Sequence, residues 1–173
     1  MAVEMKLDSA QLHEAELKLL MLQGAKIEPL LRSAARRAAT HAKKIGSQRV
    51  RSIYTIDGSL RAGIKGIRSI GMGAELLIAS PRKRVRHYKA RQNKQGVFVS
   101  VKKGSGNTLS RSFAHGGTFF QREGKSRLPI HAIVGPAVPQ LFENTAIQKE
   151  IESAALRKYE ERVAHELGRV IGD

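Results

Sequence analysis

The chain has 173 residues, 41% of them apolar but only 5% aromatic, with no Trp and no Cys. That length suits one domain with a core of Leu, Ile, Val and Ala, and the lack of Cys excludes disulfides and thiolate metal sites. The formal net charge of +16 is concentrated: residues 32–127 hold 23 Lys/Arg against Asp57, Glu75 and Glu123, net +20, whereas 1–31 and 128–173 each stand at −2. A field of that sign attracts polyanions, whether nucleic acid, an acidic protein surface or anionic lipid. The other reading is charge that serves solubility alone. No apolar run approaches the ~20 residues of a membrane span. MAVEMKLDSAQ at the start lacks the apolar stretch of a signal peptide. Both points predict a soluble protein made inside the cell.

In chain order, Asp8 or Ser9 caps a first helix, with Gln11 in a capping-box position, an apolar stripe of Leu12, Ala15, Leu19 and Leu22, and Gly24 as its end. Pro29 suits the first turn of a second helix. Its stripe of Ile27, Leu30, Leu31, Ala34, Ala35, Ala38, Ala42 and Ile45 keeps helical spacing. Arg32, Arg36, Arg37, Lys43, Lys44, Arg49 and Arg51 make its other side basic. The helix frays near Ile53-Tyr54, before the turn signal Asp57-Gly58. Ser59 caps one further turn, Leu60 to Ile64. Residues 65–70 and 75–80 read as strands around a Gly71-Met72-Gly73 hairpin turn, and Pro81 stops the second.

Residues 81–94 are the densest cationic run, with almost no apolar content, and predict an extended excursion rather than core. Val97, Val99 and Val101 alternate as in a half-buried strand, and Lys103 to Asn107 form a flexible tip. Phe113 and residues 118–122 bring the chain back, with Gly116-Gly117 as a break. Residues 81–127 thus read as a basic β-rich arm, partly disordered until it meets a partner. The basic turn Gly124 to Arg127 and Leu128-Pro129 lead into a strand from Ile130 to Val134. There Gly135-Pro136 forces the backbone out of any ladder. The last helix starts at Pro139 or, after a kink, at Asn144/Thr145, with Thr145 and Gln148 as a capping-box pair. Ile147, Ile151, Ala154, Ala155, Tyr159, Val163 and Leu167 form its buried face. These elements predict an α+β fold: long N-terminal helices and a C-terminal helix packed on a small, mostly antiparallel sheet, with the basic arm inside a single domain spanning 1–173.

Chemistry is hard to place on this pattern. Six scattered histidines have no second ligand at metal spacing. Three acids over about a hundred residues give no carboxylate pair for a glycosidase or a two-metal nuclease. No nucleophile elbow is present. Gly71-Met72-Gly73 and Lys103-Gly104-Ser105-Gly106 lack the helix-opening Lys-Ser/Thr of a phosphate loop. The expectation is no catalytic, cofactor-binding or metal-binding residue. Contact through charge remains, to nucleic-acid phosphates or to an acidic neighbour in an assembly. Its candidates are Arg82, Lys83, Arg84, Arg86, Lys89, Arg91, Lys94, Lys102, Lys103, Lys125 and Arg127.

Certain segments resemble a known family. Residues 87–99, HYKARQNKQGVFV, resemble the F-x-x-R-Q-x-x-x-G-V-x-V segment of the minor tail protein Z, or tail completion, family of bacteriophages. Leu109-Ser110-Arg111-Ser112-Phe113 is similar to the T-L-P-x-A-F that follows there. Gly124-Lys125-Ser126-Arg127-Leu128-Pro129-Ile130 and residues 135–142, GPAVPQLF, are similar to G-K-x-x-L-P-I and G-P-S-V-P-Q-M-F. The order holds across roughly residues 25–170, and the last motif is the most specific. Ala137 stands where the family has Ser, Ser110 where Pro is common, and Tyr88 where Phe is usual. The resemblance implies an α+β connector-type fold and no enzyme. It also implies a structural virion protein, a neck or tail completion piece at the head–tail junction, made in the host bacterial cytoplasm. The implied partners are its own copies in a hexameric ring, tail terminator, tail tube and connector proteins, and genomic DNA in the channel bound without sequence preference, with no membrane. Gly124, Leu128, Pro129, Gly135, Pro136, Pro139 and Phe142 would be the structural motif residues. The reading that needs no family is a sequence-independent nucleic-acid-binding protein acting through the basic middle.

Overall fold

The computed structural model describes residues 27–171, so the helix expected to open at Asp8 or Ser9 lies outside the described residues. Helix α1 (Ile27–Ile53) is followed by α2 (Ser59–Gly63), β1 (Ile64–Ile70), β2 (Gly73–Ile78), β3 (Arg82–Arg84) and a 3₁₀ turn, Val85–His87. Next come β4 (Lys89–Asn93), β5 (Gly96–Ser100), β6 (Asn107–Leu109), β7 (Ser112–His115), β8 (Thr118–Arg122), β9 (Ile130–Ala132) and β10 (Val134–Ala137). The short α3 (Val138–Phe142) and the long α4 (Thr145–Ile171) close the chain. The class is α+β. Its described strands form four small sheets: β1–β2, β10–β3, β4–β5–β6 and β7–β8–β9.

The chain folds as two units. One contains the described residues 27–46, 65–77 and 145–171. Here Leu31, Ala34, Ala35 and Ala38 of α1 pack with Tyr159 and Val163 of α4, and Ile27, Leu30, Ala74 and Leu167 join them. The alanines explain the pairing. With Ala34, Ala35 and Ala38 on the stripe between longer side chains, the α4 aromatic ring can lie close against α1. Glu28 in the first turn and Arg51 in the last turn of α1 oppose the helix dipole favourably.

The other unit contains residues 47–64 and 78–144. After α1 the backbone is captured at once: Thr55 N–H donates to the Val101 carbonyl at 2.9 Å, Lys103 N–H to the Ile53 carbonyl at 2.8 Å, and Tyr54 bridges Lys102. Val50, Leu60, Ile78, Val97, Val138, Leu141 and Phe142 are almost wholly buried. Gly63 lets α2 meet α3, since a Cβ there would fall 2.5 Å from the Val138 side chain.

Several expectations change at this point. Residues 81–94 are not a free excursion, because Val85 and Tyr88 are 2% and 5% exposed. A 3₁₀ turn has three residues per turn, so these two project from one side and bury together. The segment 81–127, expected as a partly disordered arm, is instead built into ladders from β3 to β8. The half-buried strand read through Val101 ends at Ser100. Ile130–Val134 is not one strand. β9 pairs with β8, and the chain switches at Ile133 to pair β10 with β3. The Ile133 N–H donates to the Phe119 carbonyl at 2.9 Å, and its carbonyl accepts Val85 N–H at 3.1 Å. Gly135-Pro136 does not leave the ladder either. β10 runs through it, matched Val134 to Arg84 and Ala137 to Arg82, with an irregularity between. A bulge on a two-stranded ladder is where a residue without an N–H costs least.

The helix starts differ in detail. Ser59 is the first residue of α2, and it is Asp57 Oδ1 that accepts its N–H, at 2.7 Å. Both proposed starts of the last helix are used, by α3 and α4, and Thr145 is the first helical residue rather than the cap. Gln140 Oε1 accepts the Ala137 N–H at 2.8 Å, so the reach-back cap is on α3.

Candidate cationic interface

Of the eleven candidate cations, Lys83 alone is half-buried and the other ten are exposed. They do not share one projecting arm. Arg82, Lys83 and Arg84 lie on β3, and Arg86 follows in the 3₁₀ turn. Lys89 and Arg91 lie on β4, and Lys94 follows in the turn to β5. Lys102 and Lys103 follow β5. Lys125 and Arg127 sit in the loop between β8 and β9. All belong to the unit of residues 47–64 and 78–144.

The outward face of the β4–β5–β6 sheet carries a cationic surface fixed by strand register. Successive side chains of a strand alternate faces, so Lys89, Arg91 and Asn93 share one face of β4. The register places Arg91 opposite Phe98 and Phe98 opposite Thr108. The Arg91 guanidinium stands 5.5 Å from the Phe98 ring centroid. On another side Gly106 lies against that ring, so a side chain there would have to displace Phe98. Asn93 Nδ2 donates to Thr108 Oγ1 at 3.2 Å. The opposite face is anchored: Val97 is fully buried and its N–H donates to Ser112 Oγ at 2.7 Å, while Gln92 Oε1 accepts the Ala114 N–H at 2.7 Å. A guanidinium resting on a ring and backed by a rigid sheet is pre-oriented toward an oxygen anion.

A second cation–aromatic stack was not foreseen. Phe113 and Phe120 face each other across β7–β8, 6.0 Å between centroids, and the Arg122 guanidinium lies 4.9 Å over Phe113. Its sequence signal was the Gly116-Gly117 turn, which fixes the hairpin register and sets Phe113 against Phe120.

The seven motif residues differ in burial, with Gly124 and Pro136 half-buried. Gly135, Pro139 and Phe142 are buried, and Leu128 and Pro129 are exposed, joined by a cis peptide bond. Gly135 touches the Tyr88 ring, where a Cβ would come within 2.8 Å. The Tyr88 hydroxyl donates to the Pro136 carbonyl at 2.9 Å and Arg82 Nε to the Gly135 carbonyl at 3.2 Å. Burial, then the Asp57 and Tyr54 charges, push the Tyr88 phenol up to about 12, so it remains a donor.

Asp57 has an internal task. Its Oδ2 lies 3.0 Å from His87 Nδ1, and its N–H donates to the His87 carbonyl at 2.9 Å. Burial raises its pKa, but the bonds from Ser59 and His87 outweigh that and hold it below the ordinary value. Among the described residues no group of three or more His, Asp or Glu could hold a metal, and no helix is long and apolar enough to cross a membrane. Compared with protein-family models, curated proteins and solved structures, the chain matches none.

Proposed function

We propose that this chain is a non-enzymatic structural protein of a tailed bacteriophage virion, a tail completion or neck component. In this reading it completes the head-proximal end of the tail and takes part in head–tail joining around the DNA channel. The observation that carries the proposal is the Gly135–Phe142 segment. Its sequence resembles the most specific family motif, and its residues are packed, from the Gly135 contact with Tyr88 to Val138, Pro139, Leu141 and Phe142 buried in α3. Along the chain the order is helix, strands, helix, the order that the resemblance implies. Copies of the chain in a ring, hexameric by that resemblance, would turn their exposed cations toward DNA in the channel or toward acidic terminator, tube and connector subunits. The test is electron microscopy of phage particles assembled without the protein, together with native mass of the isolated chain. Heads and tails that fail to join, and a ring-sized mass, are expected. Normal infectious particles would sink the proposal.

The exposed face carrying Lys89 and Arg91 favours one other reading, a nucleic-acid-binding protein without sequence preference. It requires duplex binding that falls ~10³-fold or more between 50 and 200 mM salt if about six phosphates are contacted. Binding no stronger than that of a simple polycation of equal charge removes it.

A further inference from the structure

Three of the six exposed large apolar side chains among the described residues crowd into one short stretch: Leu128 (66% exposed), Ile130 (41%) and Val134 (40%). This stretch contains β9, an open edge of the β7–β8–β9 sheet. Its register sets His131 opposite Gln121, with Ala132 opposite Phe120 and Ile130 opposite Arg122. Ile133 N–H donates to the Phe119 carbonyl, and Glu123 N–H to the Pro129 carbonyl at 3.3 Å. Bonded and non-bonded pairs alternate in an antiparallel ladder. The Pro129 carbonyl, the backbone groups of His131 and the Ile133 N–H therefore face β8, the Ile133 carbonyl turns to Val85 N–H, and the backbone groups of Ile130 and Ala132 face outward, with no partner among the described residues.

Open edges are ordinarily guarded by charge. β4, an edge of its own sheet, obeys with Lys89 and Arg91. β9 does not: it reads Ile-His-Ala, with Ile130 and His131 exposed. Charge stands beside it instead: Arg122 across the ladder and the exposed Lys125 and Arg127 just before it, against one acid, Glu123, whose carboxylate lies 3.9 Å from His131 Nδ1. An unguarded strand with apolar side chains and cations at its flank fits a strand of matching chemistry.

We propose that the β9 edge docks an extended acidic segment of another protein by strand addition. The segment pairs its main chain with Ile130 and Ala132, lays apolar side chains beside Leu128 and Ile130, and sets carboxylates against Arg122, Lys125 and Arg127. Nucleic acid fits less well, since phosphates offer no donor to the Ile130 and Ala132 carbonyls. A second copy does not supply the segment from its described strands. Glu75 is the only acid in them, and it is held by Arg68 at 3.0 Å. This surface stands independently of the virion reading, because it needs only the edge.

The test uses the full chain and synthetic peptides alternating Glu with Val, followed by NMR and fluorescence anisotropy. The expected result is binding with amide shifts confined to 122–134. Replacing Glu by Lys in the peptide, or N-methylating one of its edges, should weaken binding about tenfold or more. Ala132→Pro removes an outward N–H and should do the same, and Lys125→Ala with Arg127→Ala should weaken binding about tenfold. Peptide N-methylation leaves the protein untouched, so it decides the matter should Ala132→Pro misfold. The proposal is overturned by no binding, by indifference to N-methylation, by shifts centred on β4 and β5, by displacement from 122–134 with duplex DNA, or by concentration-dependent self-association that covers the same amides.

Discussion

Tyr88 offers the sharpest test of how the β-rich unit is held. Its ring closes on Gly135 and its hydroxyl donates to the Pro136 carbonyl at 2.9 Å. Tyr88→Phe keeps the ring and removes the donor, leaving a partly buried carbonyl unsatisfied, at a cost of about 1–2 kcal/mol. For a chain of this size each kcal/mol lowers Tm by roughly 2–4 °C. The phenol adds a pH signature. It ionises at 10.0 ordinarily and at about 12 when folded, so the folded state holds its proton more tightly. That stability is complete below pH 10 and is lost as pH climbs from 10 to about 12. Urea unfolding of both proteins, followed by circular dichroism across pH 8 to 12, isolates the effect, since every other group titrates in both. The wild-type advantage should be constant to pH 10 and then shrink. A difference that stays flat to pH 12 refutes the buried hydroxyl bond, and a difference absent at pH 8 refutes its contribution to stability.

Asp57→Asn should cost about 1 kcal/mol at neutral pH by weakening the cap on Ser59 and the bond to His87. Because the folded pKa lies below 3.8, the wild-type advantage is full above pH 3.8 and fades as pH falls through the folded value, which acid titration of both proteins will read. Gly96→Ala should be severe, several kcal/mol or loss of folding, since Gly96 has φ +139 and a Cβ would fall 2.1 Å from the Leu109 carbonyl oxygen; a Tm within roughly 3 °C of wild type would show that the β4–β5 turn can relax. Pro139→Ala, at a fully buried position opening α3, should lower stability by about 1–2 kcal/mol, whereas Lys125→Ala with Arg127→Ala, both exposed, should leave Tm within about 1 °C and weaken attachment to partners; the opposite pattern would reverse the roles of the two halves of the motif.

The sequence reading and the structure agree where the cause is local and part where it is not. The stripe on α1 and the face of α4 follow from helical spacing, and Leu31, Ala34, Ala35 and Ala38 are buried as that spacing requires. Gly71-Met72-Gly73 marks the turn between β1 and β2 for the same kind of reason, with Gly71 at φ +55. Val85 and Tyr88 were hidden because six cations surround two core residues in 82–91, and average composition outweighs them. What reveals them is a spacing of three, which buries both only if the backbone takes a 3₁₀ turn. The switch at Ile133 was hidden for a different reason. Whether Ile130–Val134 is one strand or two depends on its partners, β8 and β3, which lie far away in sequence.

The same dependence governs the candidate site. Its cations are easily recognised as residues, but only strand register tells which are backed by an aromatic ring. Arg91 and Arg122 each lie over a phenylalanine, while Lys125 and Arg127 extend from a loop beside an open edge. Identical charges thus face two physical settings. The stacked pair is held in orientation by the sheets beneath, and the loop pair can follow whatever strand β9 receives. A binding surface that needs both fixed and adaptable cations would divide its residues in this way.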